Sequence, residues 1–244
     1  MCNIFRLPCV FITVRSVTME LKATVIMPVY NEEKTVYGII RRVLAQSGAG
    51  RLVIVYDTRS TDNTLAEIRR AIRGEKRALL FKRRLRGKGS SVRYGLGRVR
   101  SGPIMIQDAD EEYYPEDYPK LLRELRNGQP VFGYRTVNYG HAYGAGKAVS
   151  WLHTWFFNLL FRQSVMDVNA GYKVFTKEML HGRRLKGNGF ELDMEIAAAL
   201  AKNGYRIASV PIRYKGRTFE EGKKIGAGPA IRFFFSILHE RLTR

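Results

Sequence analysis

Three acidic side chains at alternating positions, Asp108, Asp110 and Glu112, follow a short apolar run from Ile104 to Gln107. Beyond the end of a buried strand such carboxylates repel one another and lose hydration, so they require a compensating cation. Carboxylate oxygens are hard donors that suit Mg²⁺ or Mn²⁺, and those ions in turn suit a diphosphate. In an open α/β sheet, ligands bind beyond the carboxyl ends of the strands. The same letters fit a solvated acidic loop ahead of a helix opened by Pro115, Glu116 and Asp117 equally well.

Three more segments put polar groups where strands should end. Pro28-Val29-Tyr30-Asn31-Glu32 stops a strand ladder with a proline and continues in polar residues. In Asp57-Thr58-Arg59-Ser60-Thr61-Asp62-Asn63-Thr64, Asp57 closes an apolar run, and Ser60 or Thr61 can cap a following helix. Gly87-Lys88-Gly89 precedes a helix pattern, where glycines let backbone N–H groups approach phosphate and Lys88 adds charge. Turn punctuation, helix capping and a solvated basic loop explain each segment taken alone. Their succession, with Asp108 and Asp110 next, points to one shared site.

The elements that must position these residues alternate. Strand patterns fall at 23–29, 51–56, 78–82, 103–107 and 129–134, with helix patterns at 33–46, 61–73, 90–100 and 116–127. Repeated βα units with β-branched strands predict a doubly wound, mostly parallel α/β sheet, with 129–134 closing the series. Residues 1–18 fit none of this. A strand pattern begins soon after Met19, so 1–18 are expected to be a loose arm or to precede the functional start, and 19–244 a single domain.

Composition narrows the classes. Lys and Arg number 42 against 22 Asp and Glu, a net charge of +20, which attracts polyanions: nucleic acid, anionic membrane or phosphorylated substrates. Two cysteines and four scattered histidines build neither a disulfide framework nor a zinc site. No apolar run reaches the roughly 20 residues needed to span a bilayer, so an integral protein is not expected. A nucleic-acid-binding protein would share the basicity, but no zinc finger, helix-turn-helix or RNP-type strand accompanies it. Gly146-Lys147-Ala148 lacks the glycine spacing and the Ser/Thr of a P-loop.

PVYNEE (28–33), DTRSTDNT (57–64), GKGSSVRYGL (87–96), DADEEYYPEDYPKLL (108–122), VFGYR (131–135), DVNAGYKVF (167–175) and GFELDMEI (189–196) together resemble the family-2 glycosyltransferases of the Rossmann-like GT-A fold. Within them the chain is similar to the dolichyl-phosphate mannose synthase-like polyprenyl-phosphate glycosyltransferases. KNGYRIASVPIRY (202–214) and RTFEEGKKI (217–225) extend the likeness, which covers about residues 21–243.

The resemblance implies an inverting transferase that moves a sugar from a nucleotide-sugar donor, GDP-mannose first, to a polyprenyl or dolichyl phosphate. It puts the nucleotide against Pro28, Tyr30, Glu32, Asp57 and Lys88, and Mg²⁺ or Mn²⁺ on Asp108, Asp110 and Glu112. Asp108, Asp110 and Arg135 would carry the chemistry, with Arg135, Lys147 and Arg217 on the acceptor phosphate. Two departures stand out: Tyr56-Asp57 replaces the family's Asp-Asp with a loop one residue longer, and Glu112 replaces Gln. A UDP-glucose or UDP-N-acetylhexosamine donor, or a hydroxyl acceptor, is the alternative. A hydroxyl would need a general base, whereas a phosphate oxygen near neutral pH does not.

Two further helix patterns, 146–162 and 228–243, are rich in aromatic residues and flanked by bases. Either alone reads as an ordinary core helix. Together with the net charge and a lipid-phosphate acceptor, they predict amphipathic helices lying in a membrane interface. The expected location is therefore peripheral, on the cytoplasmic face, with a membrane-anchoring partner as a further expectation and no nucleic acid.

Overall fold

Short runs of β-branched and aliphatic residues form the strands of this protein, and the stretches between them supply helices. The computed structural model describes residues 21–138, 144–216 and 227–243. In chain order the elements are β1 (Ala23–Val29), α1 (Val36–Leu44), β2 (Ala49–Asp57), α2 (Thr64–Ala71), β3 (Ala78–Arg83), α3 (Lys88–Leu96) and β4 (Pro103–Ile106). Then come α4 (Tyr118–Leu125), β5 (Val131–Asn138), α5 (Gly144–Phe161), β6 (Lys173–Thr176), α6 (Leu192–Lys202), β7 (Ala208–Tyr214) and α7 (Ala227–Leu242).

The strands make one sheet in the order β3-β2-β1-β4-β6-β5-β7. β1 to β4 pair in parallel, as do β5 and β7, whereas β6 is antiparallel to both neighbours. The doubly wound, mostly parallel sheet is as expected, but 129–134 does not close it. β6 and β7 follow. β6 is only four residues long and begins with a lysine; β7 carries Pro211, which is tolerated because β7 is an edge strand.

Chain order runs outward from β1 through β2 to β3 and then returns to set β4 on the other side of β1. Such a reversal opens a crevice at the carboxyl ends of the two flanking strands. Here Val29 leads into Tyr30 on one side and Ile106 into Gln107 and Asp108 on the other. Beneath it, Val25, Ile26, Met27, Ile104, Met105 and Ile106 are buried in one core with Ile39, Ile40 and Val43 of α1 and Leu121, Leu122 and Leu125 of α4, and Gly95 of α3 lies against Ile26. Buried Gln107 does not strand its polar group: Tyr118 and Tyr172 donate to its Oε1 at 2.7 and 2.8 Å.

Of the helix starts that differ from expectation, two do so for visible local reasons. α1 begins at Val36, because Asn31 takes a left-handed φ of 50° and Thr35 Oγ1 donates to Ala109 O at 3.0 Å. Residues 31–35 thus stay in the crevice loop. α4 is preceded by a 3-10 turn, Pro115–Asp117, whose Asp117 carboxylate accepts both the backbone N–H and the guanidinium of Arg213 on β7. The expected arm at 1–18 and Arg217 lie outside the described residues. Among the described residues, no helix is long and apolar enough to cross a membrane.

Candidate active site

The loop after β1 and the loop after β2 hold each other. Asn31 N donates to Ser60 Oγ (3.2 Å), Thr61 N to Asn31 Oδ1 (2.8 Å) and Glu32 N to Thr64 Oγ1 (2.8 Å). Asp57, buried at the end of β2, is gripped by Arg59: Nε lies 3.0 Å and Nη2 2.6 Å from Oδ2, and the Arg59 amide donates to Oδ1 at 3.0 Å. Burial would raise the Asp57 carboxyl, but these bonds and the Leu85 amide outweigh it and hold the group below its ordinary value. The same guanidinium lies 5.6 Å from the centre of the Tyr30 ring, which is 44% exposed. Tyr30 and Asp57 are thus brought together, through Arg59, which the sequence reading did not single out.

The Gly87-Lys88-Gly89 turn serves packing as well as charge. A Cβ on Gly89 would come within 2.5 Å of Gly189 O, and Ser90 N donates to Asn188 O at 3.0 Å. The space that the sequence reading gave to phosphate at Gly89 is filled by the 187–189 backbone. Lys88 itself reaches the crevice. Its Nζ is 2.7 Å from Asp108 Oδ1 and 3.7 Å from Asp193 Oδ2, while Asp193 Oδ1 is 3.1 Å from the fully buried Lys173. Burial works against the Lys88 ammonium, but Asp108 and Asp193 outweigh it and raise its pKa above the usual range. Burial likewise opposes the charge on Asp193, which Lys173 and Lys88 nevertheless hold below the ordinary carboxylate range. Lys173 moves the other way, lowered by burial that Asp193 only partly offsets.

The three acidic residues of the loop after β4 have separate surroundings. Asp108 pairs with Lys88; Asp110 Oδ1 accepts from Glu112 N at 3.4 Å; Glu112 Oε2 accepts from Tyr214 Oη at 2.8 Å. Among the described residues, no three His, Cys, Asp or Glu side chains group to hold an ion.

On the far side of the crevice Arg135, at half-burial on β5, forks onto Asp167 (Nε–Oδ2 2.6 Å, Nη2–Oδ1 3.0 Å) and donates to Ser150 Oγ at 3.0 Å. Asn169 Nδ2 donates to the same Ser150 Oγ at 3.0 Å. The Arg135 guanidinium also stands 5.2 Å from the Tyr214 ring centre. Tyr214 therefore joins the Arg135 cluster to Glu112 and the acidic loop. Lys147 is exposed on α5.

α5 and α7 pack together. Phe156 stacks on Phe234 at 4.4 Å and His153 lies 5.6 Å from Phe233. Phe157 and Ile237 are buried, yet Trp151 (67%), Trp155 (50%) and Leu159 (60%), at i, i+4 and i+8, stay exposed with Phe235 (63%) of α7. α5 thus has two apolar faces, one inward and one outward.

Residues 24–180 match the model of the family described as glycosyl transferase family 2. The chain belongs to that family. Among curated relatives of this family-2 glycosyltransferase, an undecaprenyl-phosphate mannosyltransferase of Micrococcus luteus is 28% identical over 84% of this chain and 88% of its own. A dolichol-phosphate mannosyltransferase of Pyrococcus furiosus is 26% identical over 84% of this chain and 61% of its own length. A solved glucosyl-3-phosphoglycerate synthase of Mycobacterium tuberculosis, in complex with Mn²⁺, UDP and phosphoglyceric acid, superposes with a TM-score of 0.69 at 18% identity. That superposition spans 92% of this chain and 80% of the neighbour, and shows a shared GT-A-like fold. This glycosyltransferase is accordingly related to the polyprenyl-phosphate sugar transferases.

The acidic loop of the transferase offers the type of donor that a divalent ion takes. Its donors are hard carboxylates, and Asp108 Oδ2 and the Tyr113 ring leave no room for a side chain at Gly171, whose Cβ would come within 2.8 Å of that oxygen. Mg²⁺ commonly takes one or two carboxylates together with substrate phosphates and water, which needs no third protein ligand. Sequence reasoning missed Arg59, Ser150, Lys173 and Tyr214. Of these only Lys173 carried a signal: a lysine inside the apolar run Tyr172–Phe175 has to find a buried partner.

Proposed function

We infer that this family-2 glycosyltransferase moves a hexose from a nucleoside-diphosphate sugar to a polyprenyl phosphate at a membrane surface. GDP-mannose is the first donor to test, because both mannosyltransferase relatives match most of this chain. The observation that carries the reading is the link, through Tyr214, between Glu112 of the acidic loop and the Arg135 cluster with Asp167 and Ser150, while Lys88 reaches Asp108 of the same loop.

In this reading the nucleotide lies along Pro28, Tyr30, Glu32 and Asp57, with the exposed Tyr30 ring as a stacking surface. The diphosphate approaches Lys88. A divalent cation held by Asp108 and Asp110 would neutralise charge on the departing diphosphate. An oxygen of the acceptor phosphate attacks the anomeric carbon in line, the bond to the diphosphate breaks, and configuration inverts. Phosphate monoesters are already anionic near pH 7, so the chain has to offset repulsion rather than remove a proton. Arg135, its plane fixed by Asp167 and Tyr214, offsets that repulsion. Trp151, Trp155, Leu159 and Phe235 seat the protein on the bilayer, assisted by its basic charge.

The test is direct. The protein is incubated with a dolichyl or phytanyl phosphate, Mg²⁺ or Mn²⁺, and a panel of GDP- and UDP-sugars, and the lipid product is identified by mass. A hexosyl-phosphoryl lipid is expected. Equal turnover of the polyprenol, which lacks the phosphate, would reject the base-free mechanism in favour of a hydroxyl acceptor.

A further inference from the structure

Four side chains of alternating charge run from the crevice into the core: Asp108, Lys88, Asp193 and Lys173. Successive gaps are 2.7, 3.7 and 3.1 Å, and Lys173 Nζ also donates to Ala170 O at 2.6 Å. They come from four elements: the loop after β4, the first turn of α3, the first turn of α6 and the start of β6. Buried ion pairs are a poor source of stability, because desolvation offsets most of the attraction and apolar residues of similar volume do as well. The inner pair, Asp193 and Lys173, has no part in the reaction as written above. Its position suggests one.

Lys88 has two carboxylates within reach, and they are not equivalent. Asp108 is nearer and, among the described residues, has no other cation beside it; Asp193 is farther and shares its charge with Lys173. A divalent ion on either oxygen of Asp108 repels the Lys88 ammonium and competes with it for the carboxylate's charge, and Asp193 already stands on the other side of Lys88. Resting on the reading of Asp108 and Asp110 as the ion's ligands, we propose that Asp193, tempered by Lys173, is a positioning residue that receives Lys88 when a divalent cation occupies Asp108. Lys88 is then the counter-cation of Asp108 in the donor-free protein, and the ion's entry releases it from Asp108 to stand between Asp193 and the diphosphate. Ion and nucleotide therefore bind as coupled ligands, each tightening the other.

The coupling is measured without any sugar transfer, by following free Mn²⁺ by electron paramagnetic resonance, alone and with GDP or UDP. Wild-type protein should bind Mn²⁺ weakly alone and more tightly with nucleotide. Lys88→Met should bind Mn²⁺ alone about tenfold tighter, because the competing charge is gone, and should lose most of the gain from nucleotide. Asp193→Asn by itself strands buried Lys173, so it is paired with Lys173→Met. With no second partner for Lys88, that double variant should bind Mn²⁺ alone about threefold more weakly than wild type. Circular dichroism checks each fold, and Lys88→Gln replaces Lys88→Met if the latter is misfolded. A Lys88 variant that binds Mn²⁺ no tighter than wild type, or a double variant equal to wild type, overturns the proposal while leaving the transferase reading intact. Failure of the wild type to bind Mn²⁺ even with nucleotide overturns the ligand assignment and the proposal together.

Discussion

The two sides of the crevice are built on different plans. On the β1–β4 side, four parallel strands end in loops that tie one another down: Asn31 to Ser60 and Thr61, Glu32 to Thr64, Thr35 to Ala109. On the β5–β7 side, an antiparallel strand and a helix pair surround the Arg135–Asp167 fork, and part of that helix pair leaves an aromatic face uncovered. The proposed donor, polar and soluble, would be matched by preorganised loops, whose bonds to one another remove the need for order to be imposed on binding. The proposed lipid acceptor would be matched by surface that the fold leaves exposed. The division of labour can be broken one side at a time.

The largest effect should come from the donor side. Asp110→Asn removes one of two carboxylates proposed for the ion and should lower transfer by about 10³-fold or more. The melting temperature should hardly move, as checked by circular dichroism beside the product assay. Full transfer by this variant in chelator would end the metal reading.

Next comes a contrast within one helix. Phe157→Ala empties a buried site and should destabilise the fold by about 3–5 kcal/mol in denaturant titration. Trp151→Ser, Trp155→Ser and Phe235→Ser together should change stability by about 1 kcal/mol or less, yet release the protein from anionic vesicles in a flotation assay. Phe156 and Phe234 do not belong in that set, because they stack on each other between the helices. If the three exposed changes unfold the protein, the face is structural and the membrane reading fails.

Arg135→Ala should reduce kcat/KM for a short prenyl phosphate by about 10- to 100-fold, the worth of a charge-assisted contact, while GDP or UDP binding survives. Weakened nucleotide binding would instead place Arg135 on the donor side of the comparison.

The smallest effect is on acid stability. Asp57 and Asp193 are held below the ordinary carboxylate range, so the unfolded chain takes up their protons first as pH falls. Their contribution is complete above the unfolded value of about 4 and is lost as pH drops through the lower folded values. Asp57→Asn should therefore flatten the loss of stability below about pH 4, read as melting temperature against pH.

Much of the donor side was legible in the sequence because its signals are local. β1 to β4 are apolar runs closed by proline, acid or glycine, and each chemical residue follows its strand within a few positions. The acceptor side depends on contacts distant in sequence. Lys173 reads as an interruption of β6 until Asp193, twenty positions on, is seen to face it. Pro211 argues against a strand until β7 proves to be the sheet edge. That Glu112 also accepts from Tyr214, 102 residues later, could not be read from the sequence. Arg59 was hidden for another reason: its grip on Asp57 spans two residues, and nothing in a basic chain marks one arginine from the next.

On the proposed membrane reading, the outward face of α5 carries a kinetic consequence. A protein held at a bilayer by Trp151, Trp155 and Leu159 searches for its acceptor in two dimensions. Velocity should then follow the mole fraction of prenyl phosphate in the surface, so that diluting it with inert phospholipid slows the reaction at constant total acceptor. Adding buffer, by contrast, should leave the rate per vesicle nearly unchanged once the protein is bound. Saturation measured in detergent would accordingly report micelle composition as much as affinity.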